Sequence, residues 1–201
     1  MPLNLHAGYR TDISAGPSAV DEKTLRAARR GNRDALAVML RRLQDPWYRM
    51  SLSLLGDADL AHDATQETAV RFVRQLRTFR GDSQLRTWSL GICLNVVREL
   101  RRSRRGHLLL EDETGLPPRW DPYPSPDAAA ETAEESESLR SMLAGLPERQ
   151  REALVLRFFE GLSVEQTARA MRCAQGTVKA TVHHALGALR RRLRQLAPDV
   201  R

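Results

Sequence analysis

Apolar residues recur at helical spacing along almost the whole chain, and no stretch alternates in the manner of a half-buried strand. The pattern predicts a first helix from about Glu22 to Arg30, stopped near Gly31. A second runs from about Asp34 to Leu55, carries Leu36, Leu40, Leu43, Trp47 and Leu54 inward, and meets a kink at Pro46. A third runs from about Asp59 to Phe79 and a fourth from about Gln84 to Arg105. Further helices follow near Glu134 to Leu143, Pro147 to Phe159, Ser163 to Met171 and Gln175 to Leu196. Pro147 suits a first helical turn and Gly161 a helix stop. The expected fold is all-α, with two small helical domains joined by a linker.

Two of these helices divide into unlike faces. On the third, Ala61, Ala64, Thr68, Ala69, Phe72, Val73 and Leu76 fall on one side, and Asp63, Gln66, Glu67 and Arg74 on the other. The polar side reads either as a solvated surface or as a docking face for another protein. On the fourth, Trp88, Ile92, Val96 and Leu100 form a buried stripe. Arg98, Arg101, Arg102 and Arg105 share another face at i, i+3, i+4, i+7. Four like charges that close repel one another, so a facing polyanion is the simplest compensation; an amphipathic membrane-surface helix is the rival.

Gly81-Asp82-Ser83 is a turn signal, and Asp82 or Ser83 is placed to cap the helix that follows. An aromatic and polar loop beside a basic helix suits single-stranded DNA, whose bases stack on side chains while arginines hold phosphates. For Trp88 taken alone, core packing is the competing role.

Near the C-terminus, Ser163 with Gln166 makes a capping-box pattern. Arg172-Cys173-Ala174 reads as a turn, and the long helix after it buries Val178, Val182, Ala185, Leu186, Leu189 and Leu193. Its opposite face presents Thr177, Ala180, His183, His184, Gly187 and Arg191. Small and polar groups facing outward, with Arg190, Arg191, Arg192 and Arg194 behind them, suit a major groove with phosphate anchors.

Charge sharpens the division. The 201 residues carry a formal net charge of +7. From Gly106 to Ser138 there are nine acidic residues against Arg119 alone, so that segment is at −8 and the rest at +15. Five prolines between Pro117 and Pro126 block regular helix there. The expected layout is a disordered tail over 1–20, a basic domain over 21–105, a flexible acidic linker over 106–137 and a second basic domain over 138–197. Cys93 and Cys173 form neither a disulfide framework nor a metal pair, which points to a reducing cytoplasm. There is no run of about 18 apolar residues and no secretory pattern at the N-terminus, so no membrane insertion is expected. No clustered carboxylates, no His/Cys metal spacing and no Gly-rich phosphate loop occur, so no catalytic residue, metal site or cofactor is assigned and an enzyme is not expected.

Asp63-Ala64-Thr65-Gln66-Glu67, Phe79-Arg80-Gly81-Asp82-Ser83, Thr87-Trp88, Asn95 and Arg101-Arg102 resemble conserved region 2 of the extracytoplasmic-function (ECF) sigma factors, within the sigma-70 family of bacterial RNA polymerase sigma factors. The C-terminal half resembles region 4 of the same family. The resemblance spans about Asp21 to Leu196. It implies that Asp63, Gln66 and Glu67 dock on the clamp helices of the largest subunit of bacterial core RNA polymerase, and that the second half meets the flap of the second-largest. It implies that Arg80, Asp82, Ser83, Gln84, Arg86, Thr87, Trp88, Asn95, Arg98, Arg101 and Arg102 hold the melted non-template strand of the −10 promoter element. By the same likeness Thr177, Lys179, Ala180, His183 and His184 read the −35 duplex, with Arg157 on a phosphate. It also implies a linker threaded through the polymerase channels and an anti-sigma factor as a further partner.

The chain departs from the family pattern at Ser89, Gly91 and Leu94, where a larger apolar or basic residue is common, and at Glu99, where Asp or Asn is usual. In the second half Ala180, Thr181 and His184 replace a common Ser and two Arg, and Arg172 a common Gly. The implied function is promoter recognition and transcription initiation in the cytoplasm, on the nucleoid. The alternative is a stand-alone helix-turn-helix regulator that binds duplex DNA without docking on polymerase.

Overall fold

The computed structural model describes residues 21–111 and 143–196, and these are helical apart from short connections. The tail over 1–20 and most of the linker lie outside the described residues, as does the predicted helix near Glu134 except for its last residues. Four helices make the first domain: α1 (Glu22–Arg29), α2 (Arg33–Leu55), α3 (Ala58–Gln75) and α4 (Leu85–Glu111). A short 3₁₀ turn, Leu76–Thr78, closes α3. Side-chain caps start the first three. Asp21 accepts from the Thr24 amide at 2.7 Å, Asn32 from Ala35 at 2.9 Å and Asp57 from Leu60 at 3.0 Å. Gly56 ends α2 at φ 70°, a left-handed conformation that glycine adopts without steric cost.

Two predicted limits shift. α2 continues as one helix through Pro46, which is buried. α4 runs past Arg105 to Glu111, so the first residues assigned to the linker are helical.

The first core is built on aromatics. Trp47 lies 5.4 Å from Phe72, Phe72 5.7 Å from Trp88 and Trp88 5.1 Å from Phe79, centroid to centroid. Met39, Leu43, Met50, Leu54, Leu90 and Leu94 fill the space around them. Small polar residues let α2 and α4 approach: Trp47 Nε1 donates to Ser89 Oγ at 3.1 Å, and Ser51 Oγ meets Cys93 Sγ at 3.3 Å. Ser89 therefore suits its place, because a larger residue would displace the indole partner. Val73, expected inside, is 39% exposed. It stands one residue beyond Phe72 on α3, about 100° around the helix and outside the buried arc.

The second domain comprises α5 (Glu148–Leu154), α6 (Val164–Met171) and α7 (Gln175–Leu196). A π-helical turn, Val155–Phe159, extends α5; Glu160 N donates to Val155 O at 3.0 Å. The capping box is present: Gln166 N donates to Ser163 Oγ at 3.1 Å, and Ser163 N to Gln166 Oε1 at 2.7 Å. Arg172 makes the turn into α7 at φ 55°. Leu143, Leu146, Leu154 and Ala185 form a small core beneath α7. A larger core runs through both domains, with Leu90, Cys93 and Val97 of α4 in one cluster with Leu162, Ala168, Ala170 and Met171. α4 is thus covered by α2 and α3 on one side and by α6 on another.

Phe72→Ala removes the centre of the aromatic row and is expected to cost about 3–5 kcal/mol in a urea unfolding curve. Arg172→Gly relieves a left-handed non-glycine residue, at some cost in unfolded-chain entropy. The same measurement should show a gain of up to about 1 kcal/mol.

Candidate polymerase and nucleic-acid interfaces

α3 presents its polar side to solvent. Asp63 and Gln66 are exposed and Glu67 is half-buried. Glu67 is not isolated: Arg71 Nε donates to its carboxylate at 2.6 Å, and the other guanidinium nitrogens reach Glu99 of α4 at 2.9 and 2.7 Å. Arg71 therefore ties the acidic face of α3 to α4. Both acids hold its guanidinium charged, Glu99 most strongly, and the Arg71 hydrogen bond holds the Glu99 carboxyl below its ordinary range. Val70, 43% exposed, and Val73 add apolar area to this face. Spacing gives Val70 away: it lies four residues from Gln66 and three from Glu67.

The loop and α4 sort the expected −10 residues into three groups. Arg80, Asp82, Gln84 and Arg102 are exposed, and Ser83 and Asn95 half-buried. Thr87 and Trp88 point inward: Thr87 is 1% exposed, and Trp88 is clasped between Phe72 and Phe79. Trp88 begins the stripe that packs on α3, and Thr87 lies one helical turn before Gly91, on the side that meets α6. Arg86, Arg98 and Arg101 are engaged within the chain. Arg86 bonds the Glu160 carboxylate, and its Nη1 donates to Glu160 O at 2.8 Å. Arg98 grips Glu152 with two parallel bonds of 2.8 and 2.6 Å. Arg101 donates to the Leu54 carbonyl at the end of α2. The row of arginines expected to face a polyanion is thus largely compensated from inside, by carboxylates and a helix-end carbonyl. The side chain of Arg105 lies outside the described residues.

The outward face of α7 matches the sequence pattern. Thr177, Lys179, Ala180, His183 and His184 are exposed, with the two imidazoles 5.8 Å apart and edge-on. Val178 and Ala185 are fully buried on the other side. Arg157, expected on a phosphate, instead donates to the Leu162 carbonyl and closes the turn between α5 and α6. The π turn before that loop has no sequence signature strong enough to foresee this. Beside Arg157, Phe158 is 47% exposed.

Cys93 is not placed as a reactive thiol. Burial pushes the Cys93 thiol up to about 11, against weaker opposing hydrogen bonds from Ser51 and Thr68. Among the described residues no helix is long and apolar enough to cross a membrane.

This architecture, a helical bundle with a polar docking helix followed by a helix-turn-helix, is that of a sigma-70 protein. The Sigma-70 region 2 family matches residues 39–106, and the Sigma-70, region 4 family matches residues 136–189. The RNA polymerase sigma-H factor of Pseudomonas aeruginosa is 30% identical over 88% of this chain and 95% of its own length. The ECF RNA polymerase sigma factor SigC of Mycobacterium tuberculosis is 32% identical over 89% and 94%. The solved sigma factor RpoE of Bartonella quintana, in complex with the anti-sigma factor NepR, shares the fold at TM-score 0.63, with 24% identity over 79% of this chain and 94% of that one. The chain belongs to the ECF family of RNA polymerase sigma factors, which are transcription initiation factors and not catalysts.

The Arg71 bridge is testable by titration. A carboxyl held low in the fold contributes stability above its unfolded range and loses it as pH falls through its folded midpoint. Carboxyl-detected NMR should place the Glu99 midpoint below the usual value of about 4.3, and Arg71→Gln should return it there. Native Cys93 should resist a thiol reagent at neutral pH and react on unfolding.

Proposed function

We propose that this protein carries core RNA polymerase to promoters through three surfaces. The α3 face of Asp63, Gln66 and Glu67, widened by Val70 and Val73, docks on the clamp helices of the largest subunit. The α7 face of Thr177, Lys179, Ala180, His183 and His184 reads the −35 duplex, and the second domain also meets the flap of the second-largest subunit. The loop from Arg80 to Gln84, with the arginines and Asn95 of α4, holds the melted −10 strand. The observation that carries the reading is the pairing of two exposed faces, acidic and apolar on α3 and small and polar on α7, in one otherwise tightly packed chain.

Two of the expected −10 residues also serve the packing of the loop. Trp88 is a packing residue that fixes the loop from behind, and Thr87 lies beneath the surface. A protein antagonist is the remaining partner; the solved relative from Bartonella quintana was captured with one.

Run-off transcription from a genomic promoter library, with bacterial core polymerase and with or without this protein, decides between the reading and its rival. New transcripts that depend on the protein support it. Specific duplex binding with no polymerase association would leave the stand-alone regulator. Asp63→Lys with Glu67→Lys should weaken polymerase binding at least ~10-fold and leave duplex binding unchanged. Lys179→Ala should weaken duplex binding and lower the slope of log affinity against log salt by about 1.

A further inference from the structure

The two arginines of α4 best placed to hold a DNA strand are held instead by the second domain. Arg98 and Arg86 retain only 21% and 22% side-chain exposure, and their partners Glu152 and Glu160 retain 1% and 2%. The two-pronged grip of Arg98 on a carboxylate is the geometry a guanidinium also offers to a phosphate. Gln166 of α6 adds a bond of 3.2 Å to Gln84, another residue of the same loop.

Between the two ion pairs the helices touch backbone to backbone. A Cβ added at Gly91 would lie 3.5 Å from both Cα and O of Ala170. That is ordinary contact for one methyl group and leaves no room for a longer side chain. Gly91 is one of the positions where the chain has a smaller residue than its family pattern. Its smallness is what admits α6.

Apolar residues of both domains, Leu90 and Val97 with Leu162, Ala168 and Met171, share one cluster at this seam. Burial raises the Glu160 carboxyl above its ordinary range even though Arg86 and Arg49 oppose the shift. Placing that charge inside thus costs more than its partners return. Two hydroxyls, Thr87 of α4 and Thr167 of α6, are buried without a hydrogen-bond partner among the described residues. A buried hydroxyl without a partner weighs against the packed state.

We infer that the face of α4 bearing Arg86, Gly91 and Arg98 has two alternative occupants: the chain's own second domain in the free protein, and the phosphates of a single strand once the domains separate. The inference rests on the proposed −10 role of α4. It adds that Glu152 and Glu160 stand in for phosphates and keep the free protein from holding single-stranded DNA. The α7 face stays exposed in the packed form, so closure blocks the strand and spares the duplex.

The test uses the full chain, with a fluorescein-labelled mixed-sequence single-stranded 20-mer and the matching duplex as probes. Small-angle scattering reports separation of the domains. Gly91→Ala should behave as the parent. Gly91→Leu should expand the protein and raise single-strand affinity about 10-fold, with duplex affinity within twofold. Ala170→Leu pries the same gap from the other side, and circular dichroism confirms that each variant stays helical. An expanded variant with unchanged single-strand affinity overturns the inference, as does a parent already extended or a failure of both leucine variants to expand. If the parent supports promoter-dependent run-off transcription in those cases, the proposed function stands and only the self-occlusion falls. If it does not, the function itself has failed.

Discussion

Everything in this molecule hangs on α4 being wanted from two sides. Its Trp88, Cys93 and Leu94 complete the core begun by α2 and α3, while Gly91 and Arg98 meet the second domain. A helix with one buried stripe can carry a row of arginines outward at little cost. A helix buried on two sides cannot, because guanidinium groups near the seam must be matched as they leave water. Glu152, Glu160 and the Leu54 carbonyl are those matches. The second domain is therefore selected by charge as well as by shape.

The aromatic row explains why the loop before α4 is ordered while its tip stays open. Phe79 and Trp88 bracket the loop, and both are anchored in the core, 5.1 Å apart. The residues between them are pinned at both ends, with Gly81 at φ 83° making the reversal that a β-carbon would strain. Arg80, Asp82 and Gln84 are left outside, on a scaffold that needs no ligand to set its path. Pre-ordering of this kind reduces the entropy lost when a flexible strand is captured.

Helix limits and the helix-turn-helix were legible because caps, glycines and prolines act locally. Ser163 satisfies the Gln166 amide as its spacing foretells, and Asp21, Asn32 and Asp57 do the same three residues before theirs. What the pattern missed depends on contacts far apart in sequence. Nothing near Arg98 in the sequence signals that Glu152, 54 residues later, is brought against it. Nor does the sequence signal the π turn before the loop where Arg157 bonds the Leu162 carbonyl. Val73 was assigned inward because helical spacing defines an arc only to within a residue at its edge. The departures at Ser89, Gly91 and Leu94 were visible as oddities. They gained meaning only when Trp47, Ala170 and the core were seen beside them.

Arg71 shows how the separate surfaces can share one frame. Its single guanidinium spans Glu67, on the docking face of α3, and Glu99, on α4 between Arg98 and the Leu100 of the buried stripe. Glu99 alone would place a negative charge in the middle of the arginine run of α4. Paired with Arg71 it is neutralised there, and Nε of the same guanidinium holds the carboxylate of Glu67. Glutamate has one methylene more than the Asp common at this position in the family, and that added reach lets it extend toward Arg71. A shorter acid would have to choose between its own helix and its neighbour. The longer one joins the two helices, α3 and α4, through a contact of 2.7 Å.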